Sequence, residues 1–192
     1  MKNVIILGAN GNIAKHVIDI LVNKDDVSLT LFLRNKSRLR NKDVSRCCII
    51  EGDVLNIDQL KKAIKGQDIV YANLAGDLEA MAKNIVKAME ETGVKKLIFI
   101  SSIGIYDVPV RSVLKPYRKA ADEIEASDLE YTILRPTWFT NADEVDYETT
   151  RKGEPEKGSV ISQKSLATFI VKIIESPEKY IRENFGVNKP NS

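Results

Sequence analysis

The chain has 192 residues, enough for one large domain with a single substantial core. Its 29 basic and 27 acidic side chains leave a formal net charge of +2, so it carries no field of the strength that nucleic acid or an anionic membrane would require. With 43% apolar and 29% charged residues it has the composition of a folded protein rather than a disordered one.

Residues 3–7, Asn3-Val4-Ile5-Ile6-Leu7, form the continuous apolar run of a strand buried on both faces. The run is too short for a secretory leader, and Gly8 and Gly11 stop it from extending further. Ile13, Val17, Ile20 and Leu21 fall on one stripe and predict a helix over residues 12–23. A strand is predicted over 27–33, a helical turn over 36–39 and a strand over 46–51. Cys47 and Cys48 are adjacent in that strand, point to opposite faces and read as reduced thiols. A reducing, cytoplasmic location is the expectation. Residues 58–64 form an amphipathic helix that stops near Gly66.

A strand is predicted over 68–73, then a helix over 78–92 with Met81, Ile85, Ala88 and Met89 on one stripe and Gly93 beyond its end. The remaining elements are a strand over 96–101, a helix over 113–126, a strand over 131–134 and a helix over 164–175 that stops before Pro177. Residues 137–158 are irregular and charged, either a surface loop or a lid over a substrate pocket. No run approaches the roughly 20 apolar residues that span a bilayer. The alternation implies an α/β fold: a single Rossmann-type doubly wound parallel sheet with helices on both faces, occupying residues 1–192.

The sequence Gly8-Ala9-Asn10-Gly11-Asn12-Ile13-Ala14 joins the first strand to the first helix. A helix N-terminus there offers free N–H groups and a positive dipole end to a pyrophosphate. Gly8 permits the tight turn, Gly11 the close approach of phosphate, and Ala14 the close packing of helix on sheet. Gly8, Asn10, Gly11, Asn12 and Ile13 are therefore candidate cofactor-binding residues. An NAD site normally carries an acid at the end of the second strand, where this chain has Arg34, followed by Asn35, Lys36 and Arg38. A cation there suits the 2′-phosphate of NADP(H), which is expected in preference to NAD(H). Asp53, after the third strand with Val54, is placed to reach the adenine amino group.

Several motifs occur in order: Gly8-Ala9-Asn10-Gly11, Leu33-Arg34-Asn35, Glu51-Gly52-Asp53-Val54, Asn73-Leu74-Ala75-Gly76, Ser101-Ser102-Ile103-Gly104-Ile105-Tyr106 and Tyr131-Thr132-Ile133-Leu134-Arg135-Pro136. The set resembles the atypical short-chain dehydrogenase/reductase superfamily and, within it, the NmrA-like NAD(P)H-binding proteins, over residues 1–175. The resemblance implies that Leu74, Ala75 and Gly76 line the adenine-side ribose. It implies that Ser101 and Ser102 lie beside the nicotinamide, and that Pro136, Thr137 and Trp138 touch its end.

Catalytic members carry a Ser and a Tyr-x-x-x-Lys pair, in which the Tyr exchanges a proton with the substrate oxygen. Ser102 stands at the Ser position. Counting back from Ser127-Asp128-Leu129-Glu130-Tyr131 places Val113 at the Tyr position and Tyr117 at the Lys position. Ser102 and Tyr117 remain the catalytic candidates, with Tyr117 also facing the cofactor; Tyr106, Lys115 and Lys119 are alternatives. His16 reads as a solvated helix residue, Trp138 and Phe139 as core with a substrate wall as the alternative, and Arg135 as the partner of a core acid. No ligand spacing for a metal is present.

The resemblance leaves an NADPH-dependent oxidoreductase acting on a planar acceptor, such as a flavin or quinone, against a redox sensor that reports NADP(H) to a regulatory protein partner. A sugar-nucleotide epimerase or dehydratase is a third reading, which the short C-terminal part disfavours.

Overall fold

The computed structural model describes residues 1–41 and 43–192, and strand and helix alternate along it. The first half runs β1 (Lys2–Leu7), α1 (Asn12–Leu21), β2 (Val27–Leu33), β3 (Cys48–Glu51), α2 (Ile57–Ile64), β4 (Ile69–Ala72) and α3 (Leu78–Thr92). The second half runs β5 (Lys96–Ile100), α4 (Lys115–Glu125), β6 (Glu130–Pro136), β7 (Trp138–Thr140), β8 (Glu148–Arg151), β9 (Val160–Ser162), α5 (Gln163–Glu175) and β10 (Glu183–Asn188).

Eight strands form one sheet in the order β3-β2-β1-β4-β5-β6-β10-β8. Every pairing in it is parallel except that of the edge strand β8, which runs antiparallel to β10. β7 and β9 form a separate parallel pair. The α/β sheet predicted from the alternation is thus present, with an antiparallel edge that the alternation does not announce.

Successive strand residues point to opposite faces, and both faces are covered. Val4 and Ile6 pack with the apolar stripes of α1 and α5. Ile5 and Leu7 pack with α2, α3 and α4. Burying each such Leu or Ile contributes about 1.5–3 kcal/mol, which is why the central strands β1, β4 and β5 carry no polar alternation.

Boundaries move where local chemistry decides them. The helix expected from residue 113 begins at Lys115, because Ser112–Leu114 forms a 3₁₀ turn and Pro116 occupies the first turn of α4. The strand expected from residue 46 begins at Cys48, on an exposed edge. The stretch read as irregular over 137–158 contains β7 and β8. Among the described residues no helix is long and apolar enough to cross a membrane.

Candidate functional site

The chain order reverses across β1 and β4, and such a switch point opens a crevice beyond the carboxyl ends of the strands. A cleft of about 700 Å³ lies there. Gly8, Asn10 and Gly11 line it from the β1–α1 turn, Arg34 from the end of β2, Asp53 and Val54 from beyond β3, and Leu74 and Ala75 from beyond β4. Eight of the residues singled out from sequence therefore share one cavity.

The turn depends on a motif residue to which the sequence assigns no role. Gly8 has φ +79°, and a Cβ on it would lie 2.2 Å from the Asn73 carbonyl oxygen. A Cβ on Gly11 would lie 2.1 Å from Asn73 Nδ2. Asn73, in the Asn73-Leu74-Ala75-Gly76 motif, thus fills the space that the two glycines leave. Gly11 N–H donates to the Gly8 carbonyl at 2.9 Å and closes the turn. Asn10 Nδ2 donates to the Asn35 carbonyl at 3.3 Å and ties the turn to the loop after β2.

The end of α1 that faces the cleft is chemically open. α2, α3 and α5 each begin with a side chain that accepts a first-turn N–H, from Asn56, Asp77 and Ser162. α1 begins at Gly11 with no side-chain cap and no acid in its first turn. Its N–H groups, including those of Asn12 and Ile13, are left for an outside acceptor, and an anion satisfies both them and the helix dipole. The Ile13 side chain itself is buried in the core beneath the turn.

The rim beyond β2 is basic. Arg34, Arg38 and Arg40 line the cleft together with Asn35 and Ser37. Asn35 Oδ1 accepts from Ser37 N–H at 2.9 Å and starts the 3₁₀ turn Lys36–Arg38. Glu51 at the end of β3 accepts from Lys36 N–H at 2.9 Å and pins that turn to the sheet. Asp53 Oδ1 caps its own loop by accepting from Leu55 N–H at 2.9 Å. Gly76 falls outside the cleft lining, with φ +113° at the entry to α3.

The remaining candidates lie beyond β5 and β6. Ser101 is buried with its hydroxyl unpartnered, and Ser102 is half-buried with its hydroxyl donating to the Ile103 carbonyl at 3.2 Å. Pro136 is buried and its carbonyl accepts from Ile103 N–H at 3.1 Å. Thr137 is buried, with its N–H donating to the Val187 carbonyl at 3.1 Å. Trp138 is 74% and Phe139 47% exposed, which corrects their reading as core. Among the described residues β7 pairs with the short β9 alone. Tyr117 is half-buried against the α2–α4 core. Val113 is 68% exposed on the 3₁₀ turn ahead of α4. Lys119 is bound to Glu79 at 2.7 Å and Lys115 is exposed. His16 is half-buried rather than solvated, beside a separate cavity of about 400 Å³.

Tyr106 belongs to a polar network on the α4 side of the sheet. Its hydroxyl donates to Glu125 Oε1 at 3.2 Å and accepts from Asn184 Nδ2 at 2.7 Å. Burial, and then the Glu125 charge, push the phenol above its usual range, so it stays protonated. Arg135 is 2% exposed; its Nε donates to Asn184 Oδ1 at 2.8 Å and its Nη1 to Glu156. Arg135 does pair with an acid, but the acid is Glu156 of the irregular segment, 21% exposed, rather than a core residue. Among the described residues no group of three His, Cys, Asp or Glu side chains is placed to hold a metal ion.

The comparisons agree with this fold. Residues 8–177 match the family model described as NAD(P)H-binding. A Rossmann-fold NAD(P)-binding family protein from Shigella flexneri is 51% identical, with TM-score 0.93 over 100% of this chain and 95% of that one. A short-chain dehydrogenase/reductase from Veillonella parvula, solved in complex with NADP, is 27% identical, with TM-score 0.90 over 99% of this chain and 95% of that one. An isoflavone reductase homolog A622-like protein of Nicotiana tabacum is 26% identical over 205 residues. That alignment takes in 92% of this chain, and the chain spans 65% of that relative's length.

Proposed function

The chain belongs to the NAD(P)H-binding family, and on that premise we propose that it is an oxidoreductase that takes NADPH in preference to NADH and reduces a planar acceptor of flavin or quinone type. The observation that carries the reading is the uncapped N-terminus of α1, which opens into a cleft rimmed by three arginines.

In this assignment Gly8, Asn10, Gly11 and the first-turn amides of Asn12 and Ile13 hold the pyrophosphate. Arg34, with Arg38 and Ser37 beside it, holds the 2′-phosphate, for which a guanidinium offers two parallel donors. Asp53 and Val54 flank the adenine, and Leu74, Ala75 and Gly76 the adjoining ribose. Ser101, Ser102, Tyr117, Pro136, Thr137 and Trp138 surround the nicotinamide end. When bound, NADPH supplies a hydride to the acceptor.

The side chains near that end favour a conjugated acceptor over a simple carbonyl. Val113 has no proton to exchange, Lys119 is engaged by Glu79, and the Tyr106 hydroxyl is already committed to Glu125 and Asn184. A conjugated ring spreads the negative charge that a hydride brings, and solvent can supply the proton. Positioning then carries much of the catalysis, and the exposed Trp138 ring offers a flat surface for it.

NADPH consumption against a panel of flavins, quinones and aldehydes tests the reading. Turnover of flavins or quinones but not aldehydes is expected. Tight NADPH binding without turnover of any acceptor would instead favour a redox sensor.

A further inference from the structure

Arg135 is not among the residues assigned to the cofactor, yet it is the largest fully buried side chain among the described residues. A guanidinium removed from water needs an anion and full hydrogen bonding to be tolerated. Asn184, on the interior strand β10, satisfies Nε at 2.8 Å. Among the described residues its one direct ion pair is with Glu156, which comes from the irregular segment between β8 and β9 and whose side chain is 21% exposed; the Glu125 charge and the Tyr106 ring lie further off. Glu156 Oε2 also accepts from Gly104 N–H at 2.9 Å. One carboxylate is thus gripped by a buried arginine and a backbone amide, at a place two residues beyond Ser102.

The grip is incomplete. Arg135 Nη2 is buried without a partner, and so is Thr150 Oγ1. Both border the space left by Gly186, where a Cβ would lie 3.8 Å from Nη2 and 2.5 Å from Thr150 Oγ1.

We infer that Arg135 and the Gly104 amide form a carboxylate site for an acidic acceptor, and that Glu156 is a tethered stand-in which the acceptor's own carboxylate displaces. The inference rests on the reading of Ser102 as bordering the nicotinamide end, since that places an anchored acid beside the reacting ring. Glu156 keeps the arginine neutralised between turnovers, and its loop attachment lets it leave while Asn184 stays. A tethered group competes at an effective concentration of about millimolar, so it weakens rather than abolishes binding of a free acid. The acceptor class is narrowed to planar molecules bearing a carboxylate.

The test uses two matched probes, anthraquinone-2-carboxylate and anthraquinone-2-carboxamide, titrated into the whole protein with and without saturating NADP⁺. Glu156→Gln, which keeps shape and removes charge, is expected to tighten the carboxylate about tenfold and leave the carboxamide unchanged. Arg135→Gln is expected to erase the preference for the carboxylate. An unchanged or weakened carboxylate affinity in Glu156→Gln, in a protein whose melting curve shows it folded, overturns the inference. Should Arg135→Gln fail to fold, the Glu156→Gln titration decides alone. A parallel NADPH titration separates the two failures. Loss of cofactor binding in the wild type strikes the functional reading, whereas intact cofactor binding with no carboxylate effect strikes only this site.

Discussion

The two ends of the cleft region are built on opposite plans. At the β1–β4 end the polar groups are turned outward: an uncapped helix, a glycine turn and three arginines lining open space. At the β5–β10 end the polar groups are turned on one another, Arg135 on Glu156 and Asn184, Tyr106 on Glu125, and Lys152 on Glu125. The first plan suits a ligand that is always the same, because backbone amides and glycines recognise phosphate whatever the acceptor is. The second suits discrimination, because a ligand must outcompete contacts that the chain already makes.

The largest effect expected on the first plan comes from Gly8→Val. Its left-handed φ and the Asn73 carbonyl 2.2 Å from a Cβ both oppose a branched side chain. Strain and overpacking together cost about 3 kcal/mol, which lowers the melting temperature by roughly 6–12 °C in a protein of this size. NADPH affinity should fall with it. An unshifted melting curve would show that the turn is not rigid, and the contrast between the two ends would dissolve.

Arg34→Glu acts on binding rather than folding. Loss of a charged contact to the 2′-phosphate, about 1.5–3 kcal/mol, should weaken NADPH by roughly 10- to 100-fold while NADH changes little. Isothermal titration of both nucleotides reads this, and equal wild-type affinities would remove the 2′-phosphate assignment. Gly11→Val belongs beside it: the Asn73 amide must swing away from the new side chain, so cofactor binding should fall while the fold persists.

A smaller effect is expected at the other end from Tyr117→Phe. Without a Tyr-Lys pair the hydroxyl carries no proton transfer, so turnover of the best acceptor should drop less than about tenfold across a pH series. A loss of roughly a hundredfold, the size expected for removing a general acid, would make Tyr117 catalytic.

The smallest effect concerns the clamp between α3 and α4. Hydrogen bonds from Lys119 at 2.7 Å and Lys83 at 2.9 Å hold the Glu79 carboxyl down to about 2. A depressed carboxylate stabilises the fold above its unfolded pKa, near 4.5, and that support fades as pH falls toward 2. The difference in melting temperature between wild type and Glu79→Gln should therefore be small and flat near neutrality and vanish between those values. It should also shrink in 1 M salt, because the carboxylate and its lysines remain accessible to solvent.

The sequence discloses the cofactor end more fully than the acceptor end, for physical reasons. Parallel strands buried on both faces need unbroken apolar runs, and Val4-Ile5-Ile6-Leu7 and Leu97-Ile98-Phe99-Ile100 supply them. β10 breaks that rule. It reads Glu183-Asn184-Phe185-Gly186-Val187-Asn188; Asn184 is tolerated because Tyr106, Glu125 and Arg135 satisfy it, while Asn188 has its Nδ2 bound to Glu148 and its Oδ1 unpartnered. Such a strand is legible only once its partners are known. β7 and β9, three residues each, fall below any periodicity. That Arg135 needed an acid could be read from its place in an apolar strand, but the acid stands 21 positions away in a segment without pattern. Asn73 is invisible for a different cause: its role is to fill the space above two glycines, and composition does not record absence of volume.

β10 enters the sheet between β6 and β8, although it leaves the ribosome after both of them. Until it arrives, β6 is an open edge, and Arg135 waits for an asparagine 49 residues further along. The strands that shape the β1–β4 cleft are all synthesised before that point. Biosynthesis therefore separates the two ends in time. The β1–β4 half has its strands early but gains the α5 cover of one face late, while the β5–β6 half is completed only by β10. During that interval the exposed β6 edge is the place where the nascent chain is open to mispairing.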